Sequence, residues 1–178
     1  MRAVLSIGSN VGDRLEHLDA AFAYFEPQIS AVSGIYATKP WGNTEQQEFY
    51  NAILLIDTHL SPLSLLRHAQ SIENEQHRRR DIHWGPRTLD VDVICYQGVT
   101  SVDPVLRLPH PYARERAFVL IPWLEADPNA TLAGQNVIDL IGLLPEEERE
   151  GIRRLETPLG TTLPGYMEQE PSGPNFVE

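Results

Sequence analysis

Cysteine occurs once in these 178 residues, at Cys95, and lysine once, at Lys39. A lone cysteine excludes an intrachain disulfide and agrees with a reducing compartment, so the chain is expected in the cytoplasm. Its place in an alternating apolar run makes Cys95 a core residue rather than a nucleophile. No apolar run approaches the length needed to cross a bilayer, and the patch from Met1 to Ile7, ended by Gly8, is too short for a secretory signal. Basic residues are scarce as well: 14 Lys and Arg stand against 25 Asp and Glu, a net charge of −11. That balance argues against a nucleic-acid or anionic-membrane partner, both of which require a basic face. The acid is uneven, since residues 134–178 carry nine acidic and three basic side chains. Internal repeats are absent.

What is present is the composition of a soluble globular protein, 42% apolar and 22% charged. The length predicts a single domain over 1–156 and an acidic, Pro- and Gly-containing tail over 157–178, extended or disordered or ordered by lying on the domain. Residues 2–7 read as a strand, ended by the turn Gly8 to Asp13. That turn has the spacing of neither the dinucleotide fingerprint nor the P-loop, and no lysine follows it, so it reads as a tight strand-to-helix connection. Asn10 or Asp13 can cap the next helix, which carries Leu15, Leu18, Phe22 and Phe25 and closes at Pro27. A strand over 29–38, a polar loop over 39–47 and a nearly all-apolar, central strand over 51–58 follow. Ser61-Pro62 opens a helix with Leu65, Leu66, Ala69 and Ile72 on its buried stripe. Residues 88–96 alternate as a strand. This order predicts an α+β fold, a ferredoxin-like βαββαβ core with a mostly antiparallel sheet and helices on both faces. Beyond it come a short strand or hairpin over 99–108, the stiff loop Pro109-His110-Pro111, a helix over 114–125 bent near Pro122, and a last helix over 137–144.

The chemistry concentrates in Trp84-Gly85-Pro86-Arg87-Thr88-Leu89-Asp90-Val91-Asp92. Side chains on a strand alternate, so Asp90 and Asp92 project to one side, while Leu89, Val91, Val93 and Cys95 point to the other. Two exposed aspartates on a half-solvated sheet need no function. Carboxylates so close repel one another, however, and a bound divalent cation removes that conflict. Arg78, Arg79, Arg80 and Arg87 place guanidiniums beside them, a combination that points to a metal–nucleotide site.

Gly8-Ser9-Asn10 with Gly12-Asp13-Arg14, Thr38, Phe49-Tyr50-Asn51-Ala52, Trp84 to Asp92, Leu108-Pro109-His110-Pro111 and Arg116-Ala117-Phe118-Val119-Leu120 together resemble the 6-hydroxymethyl-7,8-dihydropterin pyrophosphokinase family, over about residues 2–128. The resemblance implies an ATP- and Mg-dependent enzyme of folate biosynthesis. It moves the terminal pyrophosphate of ATP to the pterin hydroxymethyl group, giving AMP. It further implies that Asp90 and Asp92 coordinate two Mg²⁺ ions, and that Arg78, Arg80 and Arg87 act with them on the phosphates. Gln70, Glu73, Arg78, Arg80, Trp84, Arg87, Val93, His110 and Arg116 fall on ATP-contacting positions. Thr38, Trp41, Phe49, Asn51, Trp84, Asp90 and Phe118 fall on pterin-binding positions, with the ring between Phe49 and Phe118. The stretch from Glu73 to Trp84 is one residue shorter than in familiar members, which leaves Arg79 as an alternative to Arg78 or Arg80. The family also implies a monomer, and loops over 39–47 and 77–84 that close over the substrates. A simple kinase would keep the carboxylates without the pterin set, and a ligand-sensing module on the same fold would have no use for Asp90 and Asp92 together.

Overall fold

The first strand, β1 (Arg2–Ser9), is buried along nearly its whole length, and this makes it the middle of the molecule. Ala3, Leu5 and Ile7 enter one core and Val4 the other, so the strand separates two apolar layers. The computed structural model describes residues 1–39, 47–76 and 88–164. After β1 the chain forms α1 (Arg14–Phe25), β2 (Ile29–Val32), β3 (Tyr36–Thr38), β4 (Phe49–Asp57), α2 (Pro62–Glu75) and β5 (Asp90–Tyr96). It continues through the hairpin β6 (Ser101–Asp103) and β7 (Leu106–Leu108), then α3 (Ala117–Ala126). A second small hairpin, β8 (Thr131–Leu132) and β9 (Gln135–Asn136), leads to α4 (Val137–Leu143), α5 (Glu146–Glu150) and β10 (Ile152–Arg154). The result is a mixed fold of helices on an antiparallel sheet of order β10-β3-β4-β1-β5, with β2 also paired to β4.

Capping residues set the helix starts. Asp13 accepts the Glu16 N–H at 3.0 Å at the head of α1, and Ser61 accepts the Ser64 N–H at 3.2 Å at the head of α2, with Pro62 following. Leu18, Ala21 and Phe25 of α1 and Leu65, Ala69 and Ile72 of α2 cover one face of the sheet. Val119, Leu120 and Trp123 of α3 and Val137 and Leu140 of α4 cover the other. Each buried Val, Leu, Ile or Phe among them contributes roughly 1.5–3 kcal/mol from removed apolar surface, and each alanine less.

Four sequence expectations are corrected. The glycine at position 8 does not begin a turn, because β1 stays paired to β4 and β5 through Gly8. The strand expected over 29–38 is two strands broken at Ser33-Gly34-Ile35. There the Ser33 hydroxyl accepts the Ile53 N–H at 2.9 Å and substitutes for a ladder carbonyl. The helix expected from 114 starts at Ala117, since Ala113–Glu115 forms a tighter 3-10 turn. Finally, Cys95 does not share a side with Val91 and Val93. The register against β1 slips by one between Val4 and Leu5, a bulge that turns both Ile94 and Cys95 onto the second core. Burial pushes the Cys95 thiol up to about 12, which keeps it protonated and unreactive, as a core residue should be.

The chain after β10 runs back across α1. Leu155 and Leu159 pack against the first core, and Asp19, fully buried on α1, accepts the Gly160 N–H at 2.6 Å and the Thr162 N–H and hydroxyl at 2.8 Å each.

Candidate active site

Antiparallel pairing lines up one row of residues across the sheet on the face covered by α3. Gly8 of β1 pairs with Asn51 of β4 on one flank and with Asp90 of β5 on the other, and Asn51 pairs in turn with Tyr36 of β3. One step along, Ser6 stands between Ile53 and Asp92, and at the open end Thr38 stands beside Phe49. Because side chains alternate, all of these project to the same side of the sheet. The absence of a side chain at position 8 is what lets the row close up: a Cβ there would lie 3.0 Å from the Asn51 Oδ1. Asn51 is buried and donates its amide to the Thr38 Oγ1 at 3.1 Å.

The N-terminus of α3 approaches the acidic end of this row. Arg116 Nη1 lies 3.5 Å from Asp92 Oδ2, with the guanidinium 5.5 Å from the Phe118 ring centroid and 5.6 Å from that of Tyr112. His110 Nε2 is 3.9 Å from the same Asp92 oxygen. The stiff loop carrying His110 is anchored by its N–H to the Ile94 carbonyl at 2.7 Å. Burial and the Arg116 charge lower the His110 pKa to about 4, against a smaller pull from Asp90, so the ring is neutral near pH 7. Its Nδ1 accepts the Tyr112 N–H at 3.3 Å, which puts the proton on Nε2 and presents a neutral donor to the cleft. Among the described residues, the site thus sets hard carboxylate oxygens beside one fixed cation, one neutral N–H donor and the partial positive charge of a helix start.

Of the residues singled out from the sequence, Thr38, Phe49, Asn51, Asp90, Asp92, His110, Arg116 and Phe118 meet at this end of the fold. Gln70 and Glu73 lie on α2, across the opposite sheet face. Glu73 is 2% exposed and its Oε1 accepts the Val91 N–H at 2.9 Å, so its carboxylate serves the outer margin of β5. Val93 is buried in the first core. Trp41, Arg78, Arg79, Arg80, Trp84 and Arg87 fall outside the described residues, as do the whole expected closing loop over 77–84 and all but the ends of that over 39–47. Two contributors were missed. Gly8 read as turn, and Arg14, whose guanidinium donates to the Glu48 carbonyl at 2.7 Å and the Tyr50 hydroxyl at 3.1 Å, holds the chain just before Phe49. Both lie in the family segments Gly8-Ser9-Asn10 and Gly12-Asp13-Arg14, the signal that points to them, whereas helix periodicity alone gives no hint of Arg14's reach.

The profile of the family described as 7,8-dihydro-6-hydroxymethylpterin-pyrophosphokinase matches residues 4–128. The chain belongs to this family. Similar proteins include the 2-amino-4-hydroxy-6-hydroxymethyldihydropteridine pyrophosphokinase of Methylorubrum extorquens, 41% identical over 159 residues that cover 87% of this chain and 99% of that one. The protein of the same name from Mycobacterium tuberculosis is 44% identical over 166 residues, covering 85% and 88%. Among solved structures, wild-type Plasmodium falciparum HPPK-DHPS superposes with a TM-score of 0.62 at 15% identity, over 86% of this chain and 48% of that one. The chain therefore spans about half the length of that longer protein, and the likeness is one of fold. Membership of the pyrophosphokinase family gives the chain its reaction: transfer of pyrophosphate to the hydroxymethyldihydropterin, a step of folate biosynthesis.

Proposed function

We propose that the donor is ATP, that AMP and the pterin diphosphate are the products, and that the row from Thr38 to Asp92 is where the two substrates meet. The observation carrying this reading is the alignment of Asn51, Gly8 and Asp90 across three adjacent strands, with Asp92 one step away. It brings a buried amide suited to a heterocycle edge within two strands of a carboxylate pair suited to a cation.

Asp90 and Asp92 would hold two Mg²⁺ ions. Their fit rests on donor chemistry: two same-side oxygen ligands suffice for a cation that keeps much of its water and takes its remaining ligands from phosphate. Bound magnesium would supply charge neutralisation to the polyphosphate. Arg116 and the His110 Nε2–H donate to phosphate oxygens, Arg78, Arg80 and Arg87 add to that grip, and Gln70, Trp84 and Val93 are further positions in contact with ATP. Glu73 supports it by holding β5 at Val91. Phe49 and Phe118 sandwich the pterin, with Thr38, Trp41 and Asn51 along its polar edge. An in-line attack by the pterin hydroxyl on the β-phosphorus then breaks the bond to the α-phosphate and releases AMP.

The core is read as ferredoxin-like, supported by the order β3-β4-β1-β5 with one helix after β1 and one after β4. Residues 1–156 form its single domain, which works as a cytoplasmic monomer. No helix among the described residues is long and apolar enough to cross a membrane. Product analysis tests the reading. Incubation with Mg²⁺, ATP and 6-hydroxymethyl-7,8-dihydropterin should yield AMP one-for-one with pterin consumed. ADP would indicate a simple kinase, and no turnover would favour a sensing module.

A further inference from the structure

Glu125 sits in the last turn of α3, seven residues after Phe118 and therefore two turns along the same side of the helix. Its carboxylate collects four donors from three other segments. Oε2 accepts the Gly34 N–H at 3.0 Å and the Tyr36 hydroxyl at 2.8 Å, and Oε1 accepts Arg154 Nε at 2.9 Å and Nη2 at 2.8 Å. Gly34 belongs to the break between β2 and β3, Tyr36 to β3 and Arg154 to β10. A Cβ at position 34 would lie 2.8 Å from the Arg154 Cζ, Nε and Nη2, so the guanidinium lies against bare backbone. Burial works to raise the Glu125 pKa, but the bonds from Arg154, Tyr36 and Gly34 outweigh it and hold the group ionised. The Tyr36 hydroxyl, buried and donating to that charge, is pushed up to about 12 and stays a donor.

Both elements clamped here run on into the site. Two residues beyond Tyr36, β3 presents Thr38, and the Tyr36 carbonyl itself lies 3.5 Å from the Asn51 amide nitrogen. At its other end α3 presents Phe118 and Arg116. Arg154 lies beyond residue 128, where the family match stops, so this tie belongs to the continuation of the chain. An exposed Glu–Arg pair alone would count for little, but a forked contact reinforced by two further donors fixes geometry.

We infer that Glu125, held by Arg154, is a positioning residue for pterin binding, setting the separation of α3 from β3 and with it the width of the slot between Phe118 and the Thr38–Asn51 edge. The inference rests on the pterin assignment above. Its consequence is graded: the pterin end depends on the clamp through both α3 and β3, whereas the phosphate end is carried by Asp90, Asp92 and His110 on β5 and its loop and shares with α3 only Arg116.

The test uses Arg154→Ala, Arg154→Lys and Gly34→Ala in the full chain. Arg154 is half exposed, so its replacement leaves the cores intact. Gly34→Ala keeps every hydrogen-bonding group and displaces only the guanidinium. Binding of 6-hydroxymethyl-7,8-dihydropterin is followed by its fluorescence in the presence of Mg²⁺ and a non-hydrolysable ATP analogue, and binding of the analogue alone by calorimetry. Arg154→Ala and Gly34→Ala should each weaken pterin binding about tenfold, with analogue binding weakened about threefold or less and partial recovery in Arg154→Lys. Unchanged pterin affinity in both variants, whatever the melting temperature, would overturn the inference, and so would an equal loss for pterin and analogue. Failure of the unaltered chain to bind the pterin would instead remove the site assignment, and this inference with it.

Discussion

Replacing Asp19 by alanine removes the buried acceptor that ties Gly160 and Thr162 to α1. Three donors lose their acceptor: the Gly160 N–H at 2.6 Å, and the Thr162 N–H and hydroxyl at 2.8 Å each. Hydrogen bonds to an ionised group are worth about 1.5–3 kcal/mol each, so three intact ones would sum to about 4.5–9 kcal/mol. The segment can swing into water, however, and rehydrate its own N–H groups, which limits the loss to its docking energy. That leaves an expected destabilisation of about 3–5 kcal/mol, or roughly 10 °C in melting temperature for a domain of this size. Urea denaturation gives the first quantity, and hydrogen exchange over 155–164 shows where it originates. Asp19→Asn should fall between, because the two N–H groups bond to different carboxylate oxygens and an amide keeps only one acceptor. A loss under about 1 kcal/mol with protection of 155–164 unchanged would refute the reasoning, since the buried bonds would then contribute no more than water does.

Gly8→Ala places a methyl 3.0 Å from the Asn51 Oδ1 inside two paired strands. It should cost about 1–3 kcal/mol and weaken pterin binding far more than nucleotide binding; equal losses in the two titrations would count against the row as a pterin edge. Asp92→Ala, at a position one-third exposed, should melt within a few degrees of the parent yet lose on the order of 10²–10³ in turnover; a variant retaining most activity would remove Asp92 from the chemistry. His110 should titrate near pH 4 by NMR in the unliganded protein, and a midpoint at or above 6.5 would contradict the burial argument. The unfolded chain takes up a proton below 6.5 that the native ring refuses. Stability should therefore fall between pH 6.5 and 4 more steeply in the parent than in His110→Gln, and parallel curves would show no such linkage.

The first half of the fold was legible because local rules and burial agree there. Asp13 and Ser61 cap where capping residues are expected, and the unbroken apolar run of β4 marks a strand covered on both faces. The aspartate pair was readable because strand alternation needs no tertiary knowledge. It failed three residues later, at Cys95, because a bulge is a mismatch between two strands and leaves no trace in either sequence alone. The same limit hid Glu125, whose partners lie 91, 89 and 29 residues away, and Asp19, whose partners are 141 and 143 residues away. A charged residue on the buried side of a helix is a signal of a partner but not of its address. The family motifs supplied what periodicity could not: which of many polar residues converge.

One consequence of Glu73 reaches beyond catalysis. β5 lies at the margin of the sheet, where an open backbone donor is a template on which another molecule's strand can add. By occupying the Val91 N–H, a buried carboxylate closes that rung with a group no incoming chain can extend. The border of the sheet that displays Asp90 and Asp92 is thereby made a poorer template for strand addition at that rung, so an acidic ledge stands at the sheet margin with one of its backbone donors already closed.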